Sequence, residues 1–314
     1  MQAQDLAVFT GNAHPALARA ICDYLKLPLG QLEVFEFQNE NIFVRICENV
    51  RERDVFLVQP FVSPVSTRVM ELLIMIDAFK RSSAGRVTAV IPYYAYGRSD
   101  KKDQPRVPIT ARLIANLLET AGADRILTVD LHAGQIQGFF NVPVDELTAL
   151  YVLSRHFLEQ RIEDLVVVAT DLGAAKRARN VAERLNVPLA LIEKRRVGNA
   201  DHAEALNLIG EVANMRALIV DDEIDTAGTL MQSVLALEEN GVKEIYVCAT
   251  HGLFSGAAIE RIDGSAIKEL VVTDTVPLPK EKQVPVITTL SIAPLLGEAI
   301  ERIHTGRSVG ELFQ

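Results

Sequence analysis

Tryptophan is absent from this 314-residue chain, aromatic residues make up only 6% of it, and cysteine occurs three times. Cys22, Cys47 and Cys248 lie far apart in apolar contexts without metal-ligand spacing, and their odd number leaves one unpaired, so they read as small core residues. No apolar run approaches the length of a membrane span, which excludes a transmembrane helix. Met1 to Asp5 is polar and the apolar run after it is short, unlike a signal peptide, so a cytoplasmic location is expected. Positive charge is also lacking. A formal net charge of -9 argues against general affinity for nucleic acid or anionic membranes, while a local basic loop can still bind phosphates.

What the chain does have is apolar bulk, 49% of its residues, enough for an ample core in a length that suits two domains. Short β-rich runs alternate with helical patterns almost from end to end, the mark of an α/β fold with parallel sheets and crossover helices. Strands are expected at Leu6 to Phe9, Val55 to Gln59, Val87 to Ile91, Ile126 to Val129, Leu165 to Ala169, Leu189 to Ile192, Leu218 to Val220, Ile245 to Ala249 and Leu270 to Val272. Helices are expected at Pro15 to Leu25, Val69 to Arg81, Ile109 to Thr120, Leu147 to Glu159, Ala174 to Leu185, Leu230 to Glu239 and Pro294 to His304. Two strand ends carry comparable strings, VDLHAG from Val129 and ATDLGAAKR from Ala169. The echo is short, so duplication and chance both stand, and a boundary near Pro143 to Leu150 would give two halves of ordinary domain size.

The most informative segment is ALIVDDEIDTAGT, Ala217 to Thr229. Its apolar run suits a strand covered on both faces, and Asp221 and Asp222 fall at the strand's carboxyl end, where ligands bind in open α/β sheets. Asp225, Thr226, Ala227, Gly228 and Thr229 then lead into a helical pattern. Small residues let backbone approach an anion, and a helix N-terminus with the Thr226 and Thr229 hydroxyls can hold a phosphate. The paired aspartates would repel that phosphate and suit sugar hydroxyls or a divalent cation. An acidic turn that merely caps a helix accounts for one of these residues but not for the string.

Two loops look too specialised to be plain connectors. Tyr93 to Pro108 packs three tyrosines with Arg98, Lys101, Lys102 and Arg106 after a strand. Its rings can stack on a base while its cations pair with phosphates, or the tyrosines simply anchor a solvated charged loop. Glu193 to Ala205 places Lys194, Arg195 and Arg196 ahead of small, flexible residues. Cations on a mobile segment can close over a transferring phosphoryl group. His132 and Asp171 occupy comparable strand-end positions, so each half could offer one metal ligand to a common cleft, although a lone histidine is more often a cap or core residue.

With these motifs together, the chain resembles the class I ribose-phosphate pyrophosphokinases, or phosphoribosyl diphosphate synthetases, over nearly its full length. The resemblance is carried by MELLIMIDAFKR from Met70, RVTAVIPYYAYGRSDKKD from Arg86, ANLLETAGADRILTVDLHAGQIQGFF ending at Phe140, DLGAAKRA from Asp171, VDDEIDTAGT, ATHGLFSGAAIERI and IKELVVTDT. It implies two tandem phosphoribosyltransferase-like, Rossmann-like domains: residues 1–146 on the nucleotide side, 147–300 on the ribose 5-phosphate side, and a tail, 301–314, packing on the first. It implies a magnesium-dependent transfer of the diphosphoryl group of ATP to the anomeric hydroxyl of ribose 5-phosphate. Asp221, Asp222 and Asp225 to Thr229 would hold ribose 5-phosphate, His132 and Asp171 the metal-bound nucleotide, and Lys194 and Arg196 would be the catalytic loop cations. Phe37, Asn39, Asn41, Arg98, Ser99 and Asp100 would form the nucleotide pocket. A homo-oligomer, a hexamer built of dimers, is implied too.

The chain departs from that family in places. Asn41 stands for a carboxylate and Ser99 for a glutamine, which puts base selectivity in doubt, because an amide both donates and accepts. If Phe37 to Asn41 is a strand, Glu40 points to the opposite face and cannot replace the missing carboxylate. Glu223 replaces an apolar residue and is expected to face solvent. Arg51, Ser83, Arg86 and Ser308 match parts of the family's regulatory anion site, but Gly310 replaces a second serine, so phosphate activation is expected in weakened form. Three readings are weighed: an active diphosphokinase; a non-catalytic, synthetase-like regulatory subunit, motivated by Asn41 and Ser99; and a nucleobase phosphoribosyltransferase, motivated by DDEIDTAGT alone. The intact loop cations and metal-side residues favour the first.

Overall fold

The structure, a computed structural model, describes residues 6–196 and 204–313, and every statement about it concerns those residues. The chain divides into two compact units, residues 1–148 with 275–277 and 291–314, and residues 149–274 with 278–290.

In the first unit β1 (Leu6–Thr10) leads to α1 (Pro15–Leu25). His14 Nδ1 accepts the Leu17 amide at 3.3 Å and proline opens the first turn, so both local signals start the helix where apolar spacing begins. A two-stranded antiparallel ribbon follows, β2 (Leu32–Glu36) and β3 (Ile42–Ile46), then β4 (Asp54–Val58), α2 (Val65–Arg81), β5 (Arg86–Ile91), α3 (Thr110–Ala121), β6 (Arg125–Val129) and β7 (Val144–Leu147). The main sheet runs β1-β4-β5-β6-β7, all parallel. All five residues of DVFLV in β4 are buried, as a strand covered on both faces requires.

In the second unit come α4 (Leu150–Gln160), β8 (Leu165–Ala169), α5 (Ala175–Leu185), β9 (Leu189–Arg196), β10 (Glu204–Ile209), β11 (Arg216–Ile224), α6 (Gly228–Glu239), β12 (Glu244–Gly252), α7 (Ala258–Asp263), β13 (Ile267–Thr273) and β14 (Ile287–Leu290). Its sheet runs β10-β9-β8-β11-β12-β13-β14. Leu230, Val234 and Leu237 of α6 and Ala258 and Ile262 of α7 join Val166, Ile219 and Val247 in one buried cluster. The chain ends in α8 (Ala293–Thr305), which belongs to the first unit and packs on α1. A Cβ at Gly297 would lie 2.4 Å from the Tyr24 ring, so only glycine permits that approach.

Expected strands and helices with strong apolar periodicity are present, their ends moved by a few residues. Several expectations change. Leu147 ends β7 rather than starting a helix, because pairing with Val129 on β6 recruits it to the sheet edge. β10 runs antiparallel to β9, so the second sheet is not wholly parallel. Cys22 and Cys248 are buried as expected, but Cys47 is exposed at the end of the ribbon. No helix of the described residues is long and apolar enough to cross a membrane.

Candidate active site

In the second unit the acidic string begins inside a strand, not after one. β11 pairs with β8 only as far as Val220 opposite Ala169, but continues against β12 through Asp221 opposite Ala249 to Ile224 opposite Gly252. Asp221 and Asp222 therefore sit on a strand extension that has outrun its neighbour on one side. The Asp222 amide donates to Asp221 Oδ1 at 2.8 Å, and the Thr170 hydroxyl lies 3.3 Å from Asp221 Oδ2. Asp222 is buried, 6% exposed, with Arg177 Nη1 3.4 Å from its Oδ1. Burial, then hydrogen bonding to Asp222 and that residue's negative charge, pushes the Asp221 carboxyl up to about 7. The Asp221 carboxyl therefore keeps its proton more readily than an ordinary aspartate, and hydroxyl donors or a cation beside it would favour its charged form.

The turn after them is held from beneath. The Ile224 carbonyl accepts the Leu253 and Phe254 amides at 2.9 and 3.1 Å, the Asp225 carbonyl accepts the Ser255 amide at 2.9 Å, and the Thr226 carbonyl accepts Arg261 Nη1 at 2.7 Å. Ala227 precedes α6 in the left-handed region at φ 60, a conformation that costs an L-residue about 1–2 kcal/mol. The first amides of α6 have no acceptor within the helix and are available to an anion at its entrance. A Cβ on Gly228 would meet nothing closer than the Thr226 hydroxyl at 3.8 Å, so protein packing does not exclude a side chain there. The clearance suits an approaching anion. Gly228→Ala should accordingly leave stability unchanged or raised by about 0.5 kcal/mol. The same change should raise the KM for a phosphosugar about tenfold, by crowding the anion; thermal melts beside initial-rate kinetics check both, and an unchanged KM would count against the cradle.

Asp171 is exposed beyond β8, and its Oδ1 accepts the Ala174 amide at 2.8 Å, capping the turn into α5. Gly173 keeps that turn close, since its Cβ would lie 3.1 Å from Asp171 Oδ1. Next to it Leu172 is 70% exposed. Glu223, expected to face solvent, is half-buried, and its Cα partner across the sheet is the buried His251. Lys194 and Arg196 lie in the last part of β9, paired in register with Leu206 and Glu204 of β10, so their backbone is strand rather than loop. Their side chains, and residues 197–203 of the expected mobile segment, lie outside the described residues.

The first unit gathers a different group. Phe37, Asn39 and Asn41 form the turn of the β2–β3 ribbon: Phe37 N donates to the Asn41 carbonyl and Glu40 N to the Phe37 carbonyl, each at 2.9 Å. Asn39 Oδ1 accepts the Asn41 amide at 3.3 Å, a side-chain mimic of a backbone turn, and Glu40 has φ 65. The strand alternation used to exclude Glu40 therefore does not apply, because a turn does not alternate faces. Phe37 is 50% exposed and stacks edge-on against Phe35 and Phe43, with ring centroids 5.1 and 5.7 Å away.

In the β5–α3 loop Tyr93 and Tyr94 are buried, and the Tyr94 hydroxyl donates to the Ala111 carbonyl at 3.0 Å, so they anchor the loop and leave only Tyr96 exposed. Arg98, Lys101, Lys102 and Arg106 are exposed. Ser99 Oγ accepts the Thr110 amide at 3.2 Å, which starts α3, and Asp100 accepts Gln135 Nε2. A Cβ at Gly97 would lie 3.2 Å from His132 Cβ, so this loop and the exposed His132 after β6 are brought together. Sequence reasoning missed Gln135, whose bond to Asp100 joins two loops far apart in the chain.

The expected regulatory group is only partly assembled. Arg51 Nη1 donates to Ser83 Oγ at 3.2 Å, and the Ser308 carbonyl accepts Arg302 Nη1 at 2.8 Å. Arg86 is committed elsewhere: Nε donates to Asp54 Oδ1 at 2.7 Å, while Nη2 donates to Asp54 Oδ2 and to the Ile303 carbonyl, the latter at 3.2 Å. It is a bolt between β5, β4 and α8.

Among the described residues no group of three or more His, Cys, Asp or Glu converges as a metal cage. A magnesium ion carried on nucleotide phosphates needs only one or two protein oxygens, which the exposed Asp171 carboxylate can supply. The His132 imidazole suits a softer ion better than it suits magnesium.

Comparison with known proteins agrees along the whole chain. Residues 6–122 match the model for the N-terminal domain of ribose phosphate pyrophosphokinase, and residues 197–314 match the phosphoribosyl synthetase-associated domain. A ribose-phosphate pyrophosphokinase of Caldanaerobacter subterraneus subsp. tengcongensis is 53% identical over 309 residues, 98% of each chain. One of Bacillus subtilis is 47% identical over 310 residues, covering 99% of this chain and 98% of its own. The crystal structure of phosphoribosylpyrophosphate synthetase from Mycobacterium smegmatis superposes with a TM-score of 0.92 at 43% identity, covering 96% of this chain and 99% of its own.

Proposed function

This chain belongs to the ribose-phosphate pyrophosphokinase family, and on that premise we propose that it transfers the diphosphoryl group of ATP to the anomeric hydroxyl of ribose 5-phosphate, giving phosphoribosyl diphosphate and AMP. The observation that carries this reading is the turn from Asp221 to Thr229, which joins two consecutive aspartates at the end of a strand extension to a strained helix entrance. The α6 amides with Thr226 and Thr229 hold the 5-phosphate, and Asp221 and Asp222 accept from the ring hydroxyls. This fixes the anomeric oxygen for attack, and alignment is most of what phosphoryl transfer asks of a protein.

The second unit is thus the ribose side and the first the nucleotide side. There Phe37 offers a ring face to a base, Asn39 and Asn41 its polar edge, and Arg98 a guanidinium to phosphates; Ser99 and Asp100 hold that loop through Thr110 and Gln135. Asp171 would hold a nucleotide-borne magnesium ion, with His132 as a hydrogen-bond donor to the phosphates or a weaker ligand. When bound, magnesium neutralises charge on the transferring group. Lys194 and Arg196 add cationic stabilisation to that group and to the departing AMP. Arg51 and Ser83 remain an anion site on this reading, without Arg86, so phosphate activation is weak. A homo-oligomer built of dimers is part of the same proposal.

The test is release of AMP and phosphoribosyl diphosphate from purified protein with ribose 5-phosphate and magnesium, comparing ATP, GTP and CTP. Turnover is expected; its absence with every donor would overturn the reading. Asn41 gives a sharper expectation. Asn41→Glu restores an acceptor-only group and should raise the ATP-to-GTP ratio of kcat/KM about tenfold, the worth of one charge-assisted hydrogen bond. A ratio that does not move would remove Asn41 from base selection.

A further inference from the structure

The first turn of α5 carries Lys176 and Arg177 and no acidic residue, at the helix end whose dipole favours negative charge. Helix stability therefore does not explain Arg177. Its surroundings do: the guanidinium reaches from α5 to the β11 extension, with Nη1 3.4 Å from the Oδ1 of Asp222, a carboxylate with 8% of its side chain exposed. A buried carboxylate on an over-long strand would otherwise repel Asp221 and turn away from it. The arrangement continues along the chain. Asp222 donates its amide to Asp221 Oδ1 at 2.8 Å, Asp221 is joined to the Thr170 hydroxyl at 3.3 Å, and the turn that starts α5 is capped by Asp171 at 2.8 Å. One helix entrance thus ties the sugar-side carboxylates to the turn that bears Asp171.

We infer that Arg177 is a positioning residue for ribose binding, acting through its ion pair with Asp222 to hold the Asp221–Asp222 pair in the geometry that accepts the sugar hydroxyls. The inference rests on the ribose 5-phosphate reading above and adds to it a residue outside the DDEIDTAGT string. Arg177 touches no reacting atom in this account, so its removal should act on sugar affinity and spare the chemical step. It should also spare the nucleotide, whose candidate base pocket lies on the other unit and whose proposed metal residue here, Asp171, is held by the Ala174 amide rather than through Asp222.

The experiment is steady-state kinetics of the full-length protein with Arg177→Met, Arg177→Lys, Asp222→Asn and the Arg177→Met, Asp222→Asn double variant, beside direct calorimetric titration of ribose 5-phosphate. Arg177→Met should raise the KM and Kd for ribose 5-phosphate about 10- to 100-fold, with kcat and the KM for ATP within about threefold of the parent. Arg177→Lys should recover most of that loss. The double variant should match Asp222→Asn alone, because Arg177 has nothing left to position. Additive losses, a fall in kcat at constant sugar KM, or an ATP KM that rises in step would each overturn the inference. If Arg177→Met does not fold with Asp222 left unpaired, the double variant and Arg177→Lys carry the test by the same criteria. Failure of the functional reading is seen separately, as absence of turnover in the parent protein.

Discussion

Exchange of Asp221 and Asp222 together for asparagine is expected to lower kcat/KM for ribose 5-phosphate by about 10²- to 10⁴-fold, since each charge-assisted hydrogen bond to a hydroxyl contributes about 1.5–3 kcal/mol. The fold should survive the exchange. Both side chains lie on the part of β11 that pairs only with β12, beyond the strand's shared register with β8, and asparagine keeps their shape. It also removes a repulsion. Burial and the Asp222 charge raise the Asp221 carboxyl to about 7, so the folded protein binds that proton more tightly than the unfolded chain does. The stability this brings is fully present below the ordinary carboxylate pKa and is lost as pH rises through about 7. The double asparagine variant should not show that loss. Thermal melts between pH 5 and 9, beside kinetics at one pH, separate the two effects; a variant with unchanged sugar kinetics would remove the pair from the ribose site.

The second large effect is on stability and lies in the other unit. Asp54→Ala should cost about 3 kcal/mol, toward the low end of the range for breaking a buried ion pair, because the Arg86 side chain remains 29% exposed. Asp54 binds Arg86 through both carboxylate oxygens and has His304 Nδ1 2.8 Å from Oδ2, with Asp54 and His304 both buried. Removing it leaves a cation and a buried imidazole without their shared partner and loosens α8 from β4. For a unit of this size the melting temperature should fall about 6–12 °C. His304→Ala, which leaves Arg86 paired, should cost less. Equal losses from the two variants, or a fall of less than about 2 °C for Asp54→Ala, would show that the bolt does not hold the returning helix.

Much of the architecture was legible because it rests on short-range pattern. Fully buried strands such as Val55 to Val58 and Leu165 to Ala169 read as unbroken apolar runs, and α1 and α3 as stripes of helical period. The ribbon strands Leu32–Glu36 and Ile42–Ile46 were not anticipated, because their half-exposed, mixed faces carry little contrast. β7, β10 and β14 were missed for a related reason: edge strands are recruited by a neighbour's backbone rather than by their own composition.

The site divides along the same line. Which residue types are proposed to meet a phosphosugar was legible in the sequence alone, because an acidic pair followed by a small, hydroxyl-bearing turn carries its chemistry in consecutive residues. Tertiary structure decided the residues that act at a distance. Only the packing of α5 against β11 brings Arg177 to Asp222, only the pairing of β4 with β5 sets Arg86 beside Asp54, to which the return of α8 adds the Ile303 carbonyl and His304, and only the closeness of two loops gives Asp100 to Gln135. Only the backbone showed Phe37 to Asn41 to be a turn, which freed Glu40 from the alternation that a strand there would have imposed. A local string can state which groups are available, but a charge is directed by whichever partner the fold sets within a few ångströms of it, and that partner lies elsewhere in the chain.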